Sequence, residues 1–428
     1  MKKTEQKFDV VVIGGGPSGM IAAGRAAELG ARVGLLEKNS SLGRKLLMTG
    51  KGRCNLTQDQ RDPQKFIEKL GKNGKFLFSA LNFFGVEKTL TFFEMKNLKT
   101  KVERGGRIFP MSGGAQDVLR TLETYLKKNQ VSILTDRKVL SFESEGNQIR
   151  SVRTKEEEIV ADNFILTTGG KSYPGTGSTG DGYAWAKSLG HTINRVRPAL
   201  TPLNIREEWV KRLQGLSLKN VEINVFQNGK KQDSRFGELL FTHFGLSGPI
   251  ILDASQKIGE LLEKGEVKIA LDLKPALSFP ELDNRLKRDF ETFSKKDFKN
   301  YLPELLPEKM VDIFLESTGI DPKKKINSIT KEERRLIVHL LKSAELTVES
   351  LVGFTQAIIT AGGVATREVD PKTMRSKKVA NLFLAGEILD LNGPTGGYNL
   401  QICWSTGYVA GTNAGKSLSK KSKTFQAI

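Results

Sequence analysis

The stretch FDVVVIGGGPSGMIAAGRAAELGARVGLLE, residues 8–37, decides the fold of this chain. It begins with a β-branched run that is typical of a buried parallel strand, and it passes directly into a turn of the form GxGxxG. In that motif Gly14 permits the tight turn, Gly16 lets a phosphate approach the backbone, and Gly19 lets the next helix pack on the strand. The N-terminus of this helix offers free N–H groups and a positive dipole. The pattern therefore predicts a phosphate-binding strand–turn–helix unit.

A second strand is predicted at residues 32–36, and it ends at Glu37. A carboxylate in this position, after the second strand of such a unit, accepts hydrogen bonds from the ribose hydroxyls of a dinucleotide. A glycine-rich turn in an ordinary α/β protein would not need an acid there. The sequence thus predicts an α/β protein with a Rossmann-like dinucleotide-binding domain.

Length and composition exclude several other classes. At about 150 residues per domain, 428 residues correspond to roughly three structural units. The two cysteines, Cys54 and Cys403, are too few for a disulfide framework or a zinc cluster, and with three histidines we expect no metal site. The chain has no run of 18 or more apolar residues, so we expect no stable membrane insertion and a cytoplasmic location.

Positive charge is concentrated in one part of the chain. The net charge is +19, and residues 38–107 contain 16 basic and 6 acidic side chains. Such a surplus indicates an anion nearby, which is a dinucleotide, an acidic substrate or a nucleic acid. Residues 199–345 are close to neutral, with 25 basic and 23 acidic side chains. A nucleic acid would need a basic surface, and this segment is the part of the chain where an additional binding surface would be expected. Since the segment is close to neutral, we do not expect a nucleic-acid partner.

The sequence after Glu37 favours FAD over a nicotinamide dinucleotide. A long loop rich in glycine and basic residues, 43–55, suits a larger cofactor, and two later segments, 163–170 and 381–387, are predicted strands that end in small or acidic residues. A second GxGxxG at residues 175–180 is separated from its strand by a loop, and no strand with a terminal acid follows it. We interpret it as a decoy and predict no separate nicotinamide domain.

Five segments resemble a bacterial family of NAD(P)/FAD-dependent oxidoreductases, which includes a bile-acid ring reductase and aminoacetone oxidases and has a glutathione-reductase-like FAD fold. These segments are GRKLLMTGKGRCN (43–55), GGRIFPMSGGAQDV (105–118), TTGGKSYPGTGSTGDGYAWAKSLGH (167–191), FTHFGLSGP (241–249) and AGEILDLNGPTGGYNLQ (385–401). The resemblance implies a discontinuous FAD domain, at residues 1–198 and 346–428, around an inserted domain at 199–345 made of a small β-barrel and a helical part.

The resemblance also implies which residues hold FAD. Each matches a position of the family's motifs for the pyrophosphate, the adenosine ribose, the ribityl and flavin side, adenine, or the flavin edge. In chain order they are Gly14, Gly15, Gly16, Pro17, Ser18, Gly19, Glu37, Lys38, Gly43, Arg44, Lys45, Gly50, Asn55, Val139, Thr168, Gly169, Gly170, Gly386, Glu387, Asn399 and Leu400.

The function implied is FAD-dependent oxidation or reduction of a small organic substrate, with non-covalent FAD and with NADH or NADPH as co-substrate. Two alternatives stay open: an oxygen-using amine oxidase, and a flavoprotein that binds or modifies RNA. Cys54 stands alone after the first motif, so a dithiol relay is excluded. We assign no catalytic residue, because the cofactor carries the redox step and the protein mainly orients the substrate.

Overall fold

A computed structural model describes residues 5–425 and the side chains of residues 6–416. The chain divides into two compact units, of which the first consists of Met1–Pro198 with Ala357–Ile428 and the second of Ala199–Gln356. Each unit has its own hydrophobic core. No helix among the described residues combines the length and the apolar character needed to cross a membrane.

The elements follow in chain order. The strands are β1 (Glu5–Ile13), β2 (Val33–Leu36), β3 (Thr57–Gln58), β4 (Thr100–Glu103), β5 (Arg107–Pro110), β6 (Ser132–Leu134), β7 (Ser141–Glu145), β8 (Gln148–Arg153), β9 (Glu158–Leu166), β10 (Ile193–Ala199), β11 (Leu203–Ile205), β12 (Ser217–Gln227), β13 (Lys230–Phe241), β14 (Gly245–Ser247), β15 (Val267–Asp272), β16 (Ala344–Leu351), β17 (Ile359–Val364) and β18 (Leu382–Leu384). The helices are α1 (Pro17–Glu28), α2 (Arg44–Met48), α3 (Pro63–Glu68), α4 (Phe78–Phe83), α5 (Val86–Glu94), α6 (Ala115–Lys128), α7 (Asp181–Ser188), α8 (Glu208–Arg212), α9 (Pro249–Leu262), α10 (Phe279–Thr292), α11 (Phe298–Tyr301), α12 (Val311–Thr318), α13 (Lys331–Lys342) and α14 (Tyr398–Phe425).

The first unit is built on a sheet with the strand order β6-β2-β1-β9-β8-β7. Strand β1 lies between β2 and β9 and is parallel to both. Strand β9 is forked, since its last residues pair in parallel with β18 while an earlier part pairs antiparallel with β8. The carboxyl ends of β1, β2 and β9 therefore meet at one edge of the sheet, and this edge is where ligands bind in open α/β folds. The predicted Rossmann-type fold class is confirmed.

Helices α1 and α14 pack closely through three glycines of α14. A Cβ added at Gly407, Gly411 or Gly415 would lie 2.5, 2.3 or 3.2 Å from a backbone oxygen of α1. The spacing of four residues places these glycines on one face of the helix. Helix α14 begins within the fifth of the resembling segments, 385–401, and extends well beyond it.

The second unit contains a closed barrel with the strand order β11-β14-β13-β12-β15-β16 and the helices α8–α13. A hairpin turn at Asn228 and Gly229 joins β12 to β13, and both residues have positive φ, as a two-residue hairpin turn requires. Helix α10 begins with a capping box in which the Ser278 side chain accepts from the N–H of Glu281.

The barrel corrects one expected boundary. We expected the inserted segment to end at residue 345, but β16 continues to Leu351 because it pairs with both β11 and β15 and so closes the barrel. The second unit accordingly extends to Gln356.

A buried polar cluster fixes part of the first unit. The Glu368 carboxylate accepts hydrogen bonds from the backbone N–H and the hydroxyl of Thr192, at 2.8 and 2.7 Å, and lies 3.0 Å from the Lys378 ammonium. His191 Nδ1 lies 3.2 Å from the same carboxylate, and His191 Nε2 lies 2.9 Å from Ser376 Oγ. Burial acts to raise the pKa of Glu368, but the bonds from Thr192 and Lys378 outweigh it and lower the pKa to about 2.

Glu368→Gln should remove a contribution to stability that depends on pH. The folded pKa of Glu368 lies below its ordinary value of 4.5, so the carboxylate stabilises the fold fully above that value. This stabilisation is lost as the pH falls toward the folded pKa. We expect the difference in melting temperature between wild type and Glu368→Gln to be largest at neutral pH and to shrink in acid. Glu156→Gln, at an exposed position of the same unit, is the control. A difference that is constant with pH would contradict this assignment.

Candidate functional site

A groove in the first unit encloses about 900 Å³ of empty space, open solvent included. It runs along the carboxyl edge of the sheet, past the ends of β1, β2 and β9. Fourteen of the 21 predicted FAD residues line it, and they come from four separate parts of the sequence. They are Gly14, Gly15, Gly16, Pro17, Ser18, Glu37, Lys38, Gly43, Arg44, Lys45, Val139, Thr168, Gly169 and Glu387.

The three glycines of the first motif have three different surroundings. Gly14 has a φ of +106°, and a Cβ there would lie 2.6 Å from the Thr167 carbonyl oxygen. A Cβ at Gly19 would lie 1.8 Å from the Gly14 oxygen, so the helix could not pack against the strand. At Gly16, which is the N-cap of α1, a Cβ would meet no atom within 4 Å. The open space beside the Gly16 backbone is where a pyrophosphate would approach the helix N-terminus.

Glu37 connects the turn to the end of β2. Its Oε2 accepts from the Gly15 N–H at 2.8 Å, and its Oε1 accepts from Asn39 through the backbone N–H at 2.8 Å and through Nδ2 at 2.7 Å. The side chain is buried. A carboxylate has about four acceptor positions, so these three bonds leave capacity for a ribose hydroxyl.

Lys45 and Glu387 form a partly buried ion pair on another wall of the groove. Lys45 Nζ lies 2.8 Å from Glu387 Oε2 and donates to Ser172 Oγ at 2.6 Å. The other carboxylate oxygen accepts from Ser172 Oγ at 2.9 Å and from the Thr360 N–H at 2.8 Å. Residues far apart in the sequence are thus brought together on one wall of the groove. That this wall faces the ribityl and flavin side stays a prediction.

Seven predicted residues do not line the groove. Asn399 instead bonds the backbone of Gly393 and Pro394 and so closes the loop before α14. The remaining six are Gly19, Gly50, Asn55, Gly170, Gly386 and Leu400. Lys38 lines the groove, but its ammonium bonds Thr179 and Asp181.

The groove also contains residues that sequence reasoning did not assign to it. Among them is the second GxGxxG, which we interpreted as a decoy, since residues 176–181 line the same groove as the first motif. Cys403 lines it as well. The other additions are Ile13, Leu36, Asn39, Ser41, Arg137, Lys138, Thr167 and Trp185. The ion pair of Lys38 and Asp181 could not be predicted from a local pattern, because the two residues are far apart in the sequence.

Two buried hydroxyls test whether the groove fits FAD. The residues Ser18 and Thr168 line it, and the hydroxyl oxygen of each is buried and finds no hydrogen-bond partner among the described residues. Buried hydroxyls are normally bonded, and a dinucleotide supplies phosphate and hydroxyl oxygens along its whole length. With the open face of Gly16 and the remaining acceptor capacity of Glu37, the residues fit FAD.

The groove combines three features: a unit of strand, glycine turn and helix, an acid after the second strand, and a Gly–Glu segment that is distant in sequence. Together they define the class of FAD-dependent oxidoreductases with a Rossmann-type fold. The chain belongs to the family described as HI0933-like protein Rossmann domain, which it matches over residues 8–413. The predicted family and enzyme class are confirmed.

Curated relatives match nearly the whole chain. The 3-dehydro-bile acid delta(4,6)-reductase of Clostridium scindens is 34% identical over 94% of this chain and 98% of its own. The ribosomal RNA dihydrouridine synthase of Haemophilus influenzae is 32% identical over 94% of this chain and 97% of its own. Among solved structures, a 3-ketosteroid-Δ4-(5α)-dehydrogenase from Rhodococcus jostii RHA1 shares the fold, with a TM-score of 0.55, 14% identity, and coverage of 96% of this chain and 97% of that one.

Proposed function

We propose that this protein uses FAD to reduce a carbon–carbon double bond conjugated to a carbonyl group, with NADH or NADPH as reductant. The net reaction moves a hydride from the nicotinamide and a proton from water to the two carbons of the double bond. When bound, FAD supplies the two-electron transfer between the nicotinamide and the substrate. The substrate class is a small organic molecule.

The observation that carries the electron path of the proposal is the state of the two cysteines. Both are free and lie in buried or partly buried positions, and burial raises the pKa of each thiol to about 12. A relay through thiols is therefore not available, and electrons pass directly between the flavin and its bound partners. This excludes disulfide chemistry, and the type of bond that is reduced rests on the relatives.

The names of two relatives support the bond type. One name describes reduction of ring double bonds in a 3-dehydro bile acid, and the other describes formation of dihydrouridine, a uridine whose ring double bond is saturated. The two molecules share a ring double bond conjugated to a carbonyl. The two reactions thus have in common the type of bond that is reduced, although the two substrates differ greatly in size.

Anaerobic mixing tests the proposal. We expect NADH or NADPH to bleach the flavin absorbance, and a conjugated enone to restore it while gaining two hydrogens by mass spectrometry. A panel containing a bile-acid dienone, an enone steroid, free uridine and a primary amine separates the substrate classes. Reduction of the flavin by the amine, with oxygen as the only oxidant, would instead establish an amine oxidase and overturn the proposal.

Uridine in RNA is the second candidate substrate. The observation that favours it is a row of exposed lysines, Lys65, Lys69, Lys72 and Lys75, none of which has a carboxylate within ion-pair distance among the described residues. RNA bound there should stay bound at physiological ionic strength and should gain dihydrouridine when NADPH is added. If RNA instead dissociates as the salt concentration rises, and no dihydrouridine forms, RNA is excluded as the substrate and the small-molecule substrate is retained.

A further inference from the structure

Residues 174–181, which we name the second glycine loop, form a wall of the cofactor groove. The loop begins with a 3₁₀ turn at Pro174–Thr176 and ends at Asp181, the first residue of α7. Its residues 176–181 line the groove together with the first glycine motif. The predicted FAD site contains no residue of this loop.

Two side chains that directly follow Glu37 hold the loop. Lys38 Nζ donates to Thr179 Oγ1 at 2.5 Å and lies 2.8 Å from Asp181 Oδ2. Asn39 Nδ2 donates to the Thr176 carbonyl oxygen at 3.2 Å. Because Asn39 also bonds Glu37, the segment that presents the predicted ribose acid also positions the second glycine loop.

Glycine at position 177 is what permits this close approach. Gly177 has a φ of +104°, and a Cβ there would lie 2.5 Å from Asn39 Nδ2. A side chain at this position would therefore displace the Asn39 amide, which is one of the two groups that hold the loop. The glycines of this second motif serve the same groove as those of the first.

Asp181 is the anionic partner of the Lys38–Asp181 pair. The two side chains are 24% and 28% exposed, so solvent screens them only in part. Burial acts to raise the pKa of Asp181, but the hydrogen bond and the charge of Lys38 outweigh it and hold this pKa below its ordinary range. Asp181 thus remains an anion that Lys38 can hold.

We propose that the second glycine loop binds the adenosine diphosphate half of FAD and that the Lys38–Asp181 ion pair is a latch that slows release of the cofactor. The proposal rests on the FAD site of the proposed function but not on its substrate. The adenosine half is indicated because both attachment points of the loop adjoin Glu37, and because Lys138 and the predicted adenine contact Val139 line the same groove as Asp181.

Dissociation of FAD from the reconstituted protein tests the latch. We expect Lys38→Met and Asp181→Asn each to speed release of FAD by about tenfold, the effect of losing one charge-assisted hydrogen bond. The double variant should be no faster than either single variant, because both changes break the same pair. Lys187→Met removes the same charge from an exposed position of α7 and should leave the rate unchanged.

A second measurement separates the latch from general damage. The affinity of the apoprotein for ADP should fall in both variants, whereas the affinity for FMN, which lacks the adenosine monophosphate part, should not change. Unchanged FAD release, additive effects in the double variant, or equal loss of FMN and ADP would each overturn the latch while leaving the proposed function intact. A wild-type protein that does not retain FAD would overturn both.

Discussion

Replacing Glu37 with alanine should strip FAD from the purified protein, with a loss of affinity on the order of a hundredfold, or about 3 kcal/mol. The change removes the acceptor for the Gly15 N–H and for two donors of Asn39, and it removes the carboxylate that is predicted to bind the ribose. Titration of the apoprotein with FAD, followed by flavin fluorescence, measures the effect.

Two further variants define what the carboxylate contributes. Glu37→Gln keeps the size of the side chain but turns an NH₂ group toward N–H donors, so its FAD affinity should be nearly as low as that of the alanine variant. Glu145→Ala removes an exposed carboxylate from β7 of the same sheet and should retain FAD. If Glu37→Gln bound FAD as tightly as the wild type, FAD binding would not require both carboxylate oxygens as acceptors. The role assigned to the Glu37 carboxylate would then be wrong.

Local spacing was enough to predict the first motif and its acid. Gly14, Gly16 and Gly19 are set by a strand, a turn and a helix that adjoin one another in sequence, and Glu37 follows the next strand. Within such a short unit the hydrophobic pattern determines which atoms meet. Residues 8–37 and the resemblance were therefore enough to predict the strand–turn–helix unit and the fold class, and the structure confirms both.

Contacts between distant segments could not be predicted in the same way. The Lys38–Asp181 pair joins residues more than a hundred positions apart, and neither residue type is unusual where it stands. We dismissed the second GxGxxG because no strand adjoins it. The lack of a strand excludes a second dinucleotide-binding domain, but it does not exclude a loop that lines the groove of the first domain. The extent of β16 likewise depends on its pairing with β11, which only barrel closure requires.

Asn399 shows that a side chain can make local bonds that a motif does not reveal. It lies in the first turn of α14, which begins at Tyr398. Its side chain bonds Gly393 and Pro394, so it fixes the loop before the helix. Such bonds depend on the backbone of neighbouring residues, and the contact of Asn399 with the flavin edge stays a prediction.

Gly411→Ala should destabilise the first unit by about 3 kcal/mol and weaken FAD binding, although alanine favours helices. The new Cβ would lie 2.3 Å from the Ala22 carbonyl oxygen, so α1 and α14 would have to separate. Helix α1 carries the pyrophosphate turn at its N-terminus, so its displacement also moves Gly16 and Ser18. Chemical denaturation of the apoprotein and FAD titration measure the two effects.

Gly415→Ala is the matched control on the same helix face. Its Cβ would lie 3.2 Å from the Ala26 oxygen, a distance that a shift of a few tenths of an ångström relieves. The gain in helix propensity, up to about 1 kcal/mol, then offsets the strain, and we expect nearly wild-type stability. Gly407→Ala, at 2.5 Å from the Ser18 oxygen, should behave like Gly411→Ala. If all three variants were equally stable, close backbone packing of α1 on α14 would not be what positions the cofactor turn. A graded series would show that the FAD site depends on a helix contact at the opposite end of the sequence.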